Sequence, residues 1–223
     1  PNVEGLGLDL LFEGKRMELN AKAGHVFGNQ IIKSKTTIAQ LDADSPILNV
    51  VSELKGPVAE GVRFVNKSPV SELTQGFTED LKTSGQGKLN LSLIIPMQNI
   101  DAAQYKGLYQ ISNGSMQAQS IPTLSRINGF LEFTESSLTA KNINASAFGT
   151  PVAFSINSGK DKIIRINAKG KIDDNGIKQL LIEQSSAGSN TVNNAQNAAS
   201  WAKGARYFTG NTDWAADISI QKP

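Results

Sequence analysis

The stretch GKLNLSLIIPM, residues 87–97, decides the fold class of this chain. Apolar side chains occupy every second position, at Leu89, Leu91, Leu93 and Ile95. The first intervening positions are polar: Lys88, Asn90 and Ser92. Since successive side chains of a strand point to opposite sides, this period of two predicts a β-strand with one apolar and one polar face.

The same alternation extends to both sides of this stretch. Upstream it continues in GKRMELNAKAG, residues 14–24, and in NQIIKSKTTIAQLDA, residues 29–43. Downstream it returns in residues 104–168, where Asn113-Gly114 is typical of a hairpin turn. Turn residues recur every few positions and no long crossover helix intervenes. The pattern therefore predicts an antiparallel meander.

Helical signals interrupt the strands once. Ser45 precedes Pro46, and an apolar stripe at helical spacing follows, which predicts a helix. Ser68-Pro69 repeats the signal, and together they predict a helical insert at about 45–84 within a single unit of residues 1–223. The stretch GIKQLLIEQ, residues 176–184, is predicted to form a further short helix, and the polar stretch at 185–200 is predicted to be a mobile loop.

The composition of the 223 residues excludes several classes of protein. There is no cysteine, which excludes disulfides and thiolate chemistry, and the single histidine excludes a multi-histidine metal centre. A formal net charge of +2 argues against a nucleic-acid partner. No apolar run approaches the length of a membrane span. Because the chain starts without Met and ends directly after a strand-like run, we expect a piece of a longer protein.

No cluster of residues predicts catalysis. His25 stands alone, and Glu132 and Glu135 form at most a solvated pair at the end of a strand. Asp173-Asp174-Asn175-Gly176 lacks the ligand spacing of a calcium loop and predicts a turn. We therefore expect no enzyme activity, no cofactor and no metal.

The apolar faces of so many strands must be covered or occupied. One possibility is a closed sandwich or barrel core, as in a β-rich interaction or assembly domain. The other is an open, curved sheet whose apolar face holds acyl chains or is covered by helices. The alternation by itself leaves both possibilities open.

Several motifs, in order, resemble the YhdP branch of the bacterial AsmA-like proteins, a family with a repeating β-groove. IPTLSRINGFLEF, residues 121–133, is similar to that family's Ile-Pro, Leu, Ile-x-Gly-x-Leu-x-Phe pattern. Residues 87–97 resemble its Gly-x-Leu-x-Leu-x-Leu-x-Ile-Pro strand, and YFTGNTDWAADISI, residues 207–220, its Gly-x-x-x-Trp strand. The likeness spans about residues 45–221.

The resemblance implies a mainly β fold: a long, curved, twisted antiparallel β-sheet that forms an open groove, with two or three short helices. It also implies a periplasmic protein anchored in the inner membrane, whose groove carries phospholipid between the inner and outer membranes. Membrane contact would lie outside this chain, which would adjoin neighbouring segments of its parent. Lys88, Lys106 and Arg126 would lie near the lipid head group. The residues expected to line the groove are Leu89, Leu91, Leu93, Ile95, Tyr109, Ile111, Ile127, Leu131, Phe133, Val152, Phe154 and Ile156.

Overall fold

The computed structural model describes residues 3–68, 71–74, 76–118, 121–158, 161, 163–179 and 210–220. Eleven β-strands make up most of this part of the chain. In chain order they are β1 (Val3–Glu13), β2 (Arg16–Val26), β3 (Asn29–Ile38), β4 (Ile47–Pro57), β5 (Lys82–Pro96), β6 (Gln104–Ala118), β7 (Ile121–Thr134), β8 (Leu138–Ala147), β9 (Thr150–Ser158), β10 (Ile164–Asp173) and β11 (Asn211–Ile220).

The strands form one sheet in the order in which they occur along the chain. Every neighbouring pair is antiparallel, from β1 with β2 to β10 with β11. The two outer strands, β1 and β11, are the edges of the sheet, so the sheet that the described residues form is open. The predicted mainly β, antiparallel fold is confirmed, and within the described residues it has no second sheet that could form a closed core.

The helices are short. They are α1 (Val58–Asn66), α2 (Ser71–Thr74), a 3₁₀ turn at Ile100–Ala102 and the helical residues 174–179. No helix in the described ranges is long and apolar enough to cross a membrane. The last of these helices covers the start of the one predicted at 176–184, whereas the loop predicted at 185–200 lies outside the described residues.

The prediction of a helix that starts at Ser45 is wrong. Residues Ile47–Pro57 form strand β4, which pairs with β3 on one side and β5 on the other. Its apolar residues fit both periods, because Leu48, Val50 and Leu54 also alternate along a strand. Pairing on both sides decides between the two, since β4 satisfies its backbone groups in two ladders. Helix α1 begins after this strand, at Val58.

The second Ser-Pro signal precedes a helix of only one turn, α2, whose bounds are Ser71–Thr74. Residues 76–80 are turns, and β5 has already begun at Lys82. Both α1 and α2 lie inside the insert predicted at about 45–84, but the insert begins later than the sequence indicated.

The turn predicted at Asn113-Gly114 is also wrong. Strand β6 runs through these residues, and the pairing with β7 shifts between Ile111 and Gly114, which is a β-bulge. Asn113 has a φ of 48°, and its short polar side chain tolerates this left-handed conformation.

Bulges in neighbouring strands line up across the sheet. The pairing shifts beside Gly85 in β5, Asn113 in β6, Arg126 in β7 and Asn142 in β8, and all four residues have positive φ. Bulges bend a strand and increase its twist. We call this row of four positions with positive φ the crease. Ile127 and Ile143 lie beside it on the apolar face and are only 2% exposed, as expected where a sheet bends around its apolar side.

Candidate functional site

The candidate site is the apolar face of the sheet. The pairing register places all twelve predicted lining residues on this face, because directly paired residues of neighbouring strands share a face. One ladder runs Leu89, Tyr109, Leu131, and its next steps are Ala140 and Ile156. The shared face follows from geometry alone; its role as a lipid path stays a prediction.

Aromatic rings fill the middle of this face. Phe133 lies opposite Gly107, where a Cβ atom would collide with its ring, so the glycine makes room for the phenylalanine. The Tyr105 ring lies 6.4 Å from the Phe133 ring, centroid to centroid. Phe133 and Leu138 are both buried. This part of the face therefore has a closely packed floor.

A larger buried cluster lies toward the C-terminal strands. Its fully buried members come from β7, β8 and β9: Ile127, Ala140, Ile143, Ala145, Ala147 and Val152. Trp214 of β11 packs against it, which connects the cluster to the far edge of the sheet.

Toward the N-terminal edge the face is more exposed and is interrupted by hydroxyl groups. Leu8, Leu10 and Phe12 of β1 are exposed, Phe12 by 60%. Between β1 and the centre, Ser34 and Ser52 occupy the apolar face as a directly paired residue couple, with 2.6 Å between their Oγ atoms. Because the two hydroxyls share a hydrogen bond, this polar interruption is compatible with an apolar surrounding. The alternating pattern of apolar residues did not reveal it.

Helix α1 lies directly on the apolar face. A Cβ atom built on Gly61 of α1 would lie 2.5 Å from the Tyr109 Oη atom, and one on Gly87 of β5 would collide with the same hydroxyl. Two glycines, one on the helix and one on the sheet, thus enclose the end of the Tyr109 side chain. Sequence reasoning missed this contact, although the stretch PVAEGVRFVN, residues 57–66, carries a proline at the helix start and valines at helical spacing.

The hydroxyl of Tyr109 has no hydrogen-bond partner. Its oxygen is buried in the contact between α1 and the sheet, and burial raises the pKa of Tyr109 to about 12. A buried hydroxyl without a partner destabilises the state that contains it by about 1–3 kcal/mol. The contact between α1 and the sheet is therefore weaker than the apolar side chains in it suggest.

Helix α1 also contacts the turn between β2 and β3. The rings of Phe27 and Phe64 meet edge to face with centroids 5.9 Å apart. The Arg63 guanidinium lies 5.6 Å from the centre of the Phe27 ring, which is a cation–π distance. Val65, near the end of the helix, packs against the cluster of Phe133 and Leu138.

The other face of the sheet is polar and carries ion pairs across the strands. Glu53 of β4 contacts Lys33 Nζ at 3.2 Å and Lys88 Nζ at 2.9 Å, and hydrogen bonds from Lys88 and Lys33 lower the pKa of Glu53. Lys22 pairs with Asp9 at 2.6 Å. Lys22 and Asp9 are both solvent-exposed, so their pair contributes little to stability, whereas Glu53 is largely covered by its two exposed lysines.

The three basic residues predicted near a head group lie away from the apolar face or are already bonded. The register places Lys88 and Lys106 on the polar face, and Lys88 is paired with Glu53. Arg126 belongs to the crease, and its Nη2 atom donates a 2.8 Å hydrogen bond to Ser146 Oγ. Their positions do not favour the predicted head-group contact.

A depression of about 1080 Å³ lies on the polar face between β1 and β7. Lysines and carboxylates line it together, among them Lys22 with Asp9 and Lys33 with Glu53, which are paired with each other. Since a twisted sheet is saddle-shaped, a hollow on this face is expected from the twist. Its charges are largely neutralised within the protein.

The remaining candidate residues do not form a reactive cluster. His25 is exposed in β2, and Glu132 lies on the polar face of β7. The carboxylate of Asp173 accepts a 2.8 Å hydrogen bond from the backbone N–H of Gly176, at the start of the helical residues 174–179. Within the described ranges, no three acidic, histidine or cysteine side chains come together as a group suited to hold a metal ion.

The match to a protein family covers the whole of this sheet. The family model described as YhdP protein matches residues 1–223. The chain belongs to the YhdP family. Comparisons with curated proteins and with solved structures gave no match. Family membership thus agrees with the resemblance seen in the sequence motifs and extends it to residues 1–44.

Proposed function

We propose that this chain is a segment of a periplasmic lipid-transfer bridge and shields the acyl chains of phospholipids on its apolar face. The observation that carries the proposal is the apolar face of an open sheet, continuous in register from Leu89 across Tyr109 and Leu131 to Ile156. Membership in the YhdP family supports it.

The physical basis is the transfer of acyl chain out of water. Each buried CH₂ group stabilises the bound state by about 0.8 kcal/mol. If the apolar face continues from strand to strand, this gain changes little as a chain moves along the sheet, so movement meets no large barrier. The segment then needs neither a nucleotide site nor a catalytic group of its own.

In this proposal the bridge connects the inner membrane, where the parent protein is anchored, with the outer membrane. The membrane contacts lie outside this chain, and neighbouring segments of the parent continue the path. The alternative function, an interaction domain with a closed core, is disfavoured because the described strands form one open sheet.

The test replaces two adjacent residues that lie on opposite faces of β5. Leu91→Glu places a carboxylate on the apolar face, whereas Ser92→Glu places it on the polar face opposite Lys106. We expect wild type and Ser92→Glu to carry phospholipid when purified without detergent extraction. Because a charge in an acyl environment is strongly unfavourable, Leu91→Glu should carry at least about tenfold less.

The measurement is the molar ratio of extracted phospholipid to protein, determined by mass spectrometry. Far-UV circular dichroism checks that both variants retain their strands. Equal phospholipid in the two folded variants, or none in the wild type, would contradict the proposed function.

A further inference from the structure

Helix α1 occupies the surface that the proposed function assigns to lipid. Gly61 lies against Tyr109, as Gly87 of β5 does, and Val65, one helical turn later, packs against the cluster of Phe133 and Leu138. The helix therefore covers the apolar face between Tyr109 and Phe133.

This position places α1 on the path. Lipid moving along the sheet from strand to strand would cross the area between Tyr109 and Phe133, which α1 covers. The exposed residues of β1, such as Phe12, lie on one side of the helix, and the buried cluster around Ile127 and Ile143 lies on the other. An acyl chain passing between these regions at the level of Tyr109 meets the helix.

Two features weaken the packing of α1 on the sheet. The hydroxyl of Tyr109 is buried without a partner, and it would regain hydrogen bonds to water if the helix moved away. The helix also lacks a side-chain cap at its N-terminus, where Pro57 is extended with φ −60° and ψ 141°. Pro57 is the last residue of β4, so a change of conformation there would move α1 and leave the β4–β5 pairs from Ile47 to Gly56 in place.

We propose that α1 is a displaceable gate on the apolar face, closed in this structure, and that the unpartnered hydroxyl of Tyr109 keeps the closed state weak enough to open for an acyl chain. The inference rests on the proposed function, because it concerns the regulation of the same surface. Acyl-chain binding then depends on the fraction of molecules in which α1 has moved away.

Two single substitutions change this fraction in opposite directions. Tyr109→Phe keeps the ring and removes the unpartnered hydroxyl, which stabilises the closed state. Gly61→Ala adds a methyl group 2.5 Å from the Tyr109 Oη atom and so destabilises the closed state, while alanine favours the helix itself. In the double variant Tyr109→Phe/Gly61→Ala the oxygen is gone, and most of the clash with it.

The measurement is the affinity of the 223-residue chain for a dansyl-labelled fatty acid, followed by fluorescence. We expect Tyr109→Phe to bind at least about fivefold more weakly than wild type, although its surface is more apolar. Gly61→Ala should bind several-fold more tightly, and the double variant should return toward the affinity of Tyr109→Phe. Circular dichroism checks the fold, and Gly7→Ala, whose added methyl group meets only Ala23 Cβ at 3.8 Å, is the control.

The outcomes distinguish a failure of the proposed gate from a failure of the proposed function. If the wild type binds the probe and both single variants bind it with unchanged affinity, the proposed gate is contradicted, whereas the proposed binding of acyl chains to the apolar face is not. Stronger binding by Tyr109→Phe would also overturn the gate. If neither the wild type nor Gly61→Ala binds the probe, both the proposed function of the apolar face and the proposed gate are contradicted.

Discussion

Tyr109 is the residue at which helix and sheet meet most closely. Its ring takes part in the ladder between Leu89 and Leu131, and its hydroxyl lies between two glycines. Neither glycine can be exchanged for a larger residue without moving the ring or the helix. The same side chain therefore belongs to the apolar face and to the contact that covers it.

The burial of Tyr109 predicts a loss of stability in alkali. Its pKa is about 12 in the folded protein and about 10 in the unfolded chain, so the unfolded state ionises first. The contribution to stability is complete below about pH 10 and declines by about 2–3 kcal/mol as the pH rises to about 12. Urea unfolding at about pH 9 and about pH 11.5 measures this decline in the free energy of unfolding. Tyr109→Phe is the control because it lacks the titrating group. Identical pH dependence in the two proteins would refute the assignment.

At the scale of elements, the crease shapes the sheet. Gly85 of β5 and the bulge at Asn113-Gly114 of β6 approach so closely that a Cβ atom on Gly85 would lie 2.6 Å from the Gly114 Cα atom. Since the obstacle is backbone, it cannot move aside as a flexible side chain would. The crease thus depends on close backbone contact as well as on positive φ.

This contact predicts different results for two glycine-to-alanine substitutions. Gly85 and Gly149 both have positive φ, at 100° and 79°, but nothing lies within 4 Å of a Cβ atom on Gly149. Gly149→Ala is expected to destabilise by about 1–2 kcal/mol through backbone strain alone. Gly85→Ala adds overpacking, about 1–3 kcal/mol more. Urea unfolding measures both, and equal destabilisation would show that the close approach at the crease is absent.

How far the sequence predicts these elements depends on whether local pattern and pairing agree. They agree in β5, where the alternation from Leu89 to Ile95 gave both the strand and its apolar face. They disagree in β4, where Ser45-Pro46 and the spacing of the apolar residues indicated a helix but two neighbouring strands imposed a strand. At Asn113-Gly114 the dipeptide typical of a hairpin forms a bulge, because β6 pairs on both sides beyond it.

The candidate site was predicted in the same uneven way. Period-two alternation was sufficient to group the twelve residues on one face. The position of α1 on the sheet was not predicted, since the contacts of Gly61 and Gly87 with Tyr109 join three elements that are separated in the sequence. The polar pair Ser34 and Ser52 was hidden for the same reason, because only the register between β3 and β4 brings the two hydroxyls together.

At the scale of the whole molecule, each strand pairs with its neighbours in the sequence, and both edges of the sheet are unpaired in the described residues. One face carries apolar ladders from β1 to β11, and the other carries exposed ion pairs such as Lys22 with Asp9. The two faces therefore present different chemistry to any ligand. If the protein binds its ligand on the apolar face, substitutions at two adjacent residues of one strand should affect binding differently.

The most direct test of this account is a photocrosslinking amino acid placed at Leu131 or at Phe130 in cells that produce the protein. Leu131 lies on the apolar face, whereas its neighbour Phe130 lies on the polar face and is 52% exposed, which makes it a demanding control. We predict phospholipid adducts at position 131 in at least about tenfold excess over position 130, a preference of about 1.4 kcal/mol. Equal capture at both positions, or no phospholipid at position 131 in folded protein, would contradict the claim that the apolar face carries acyl chains.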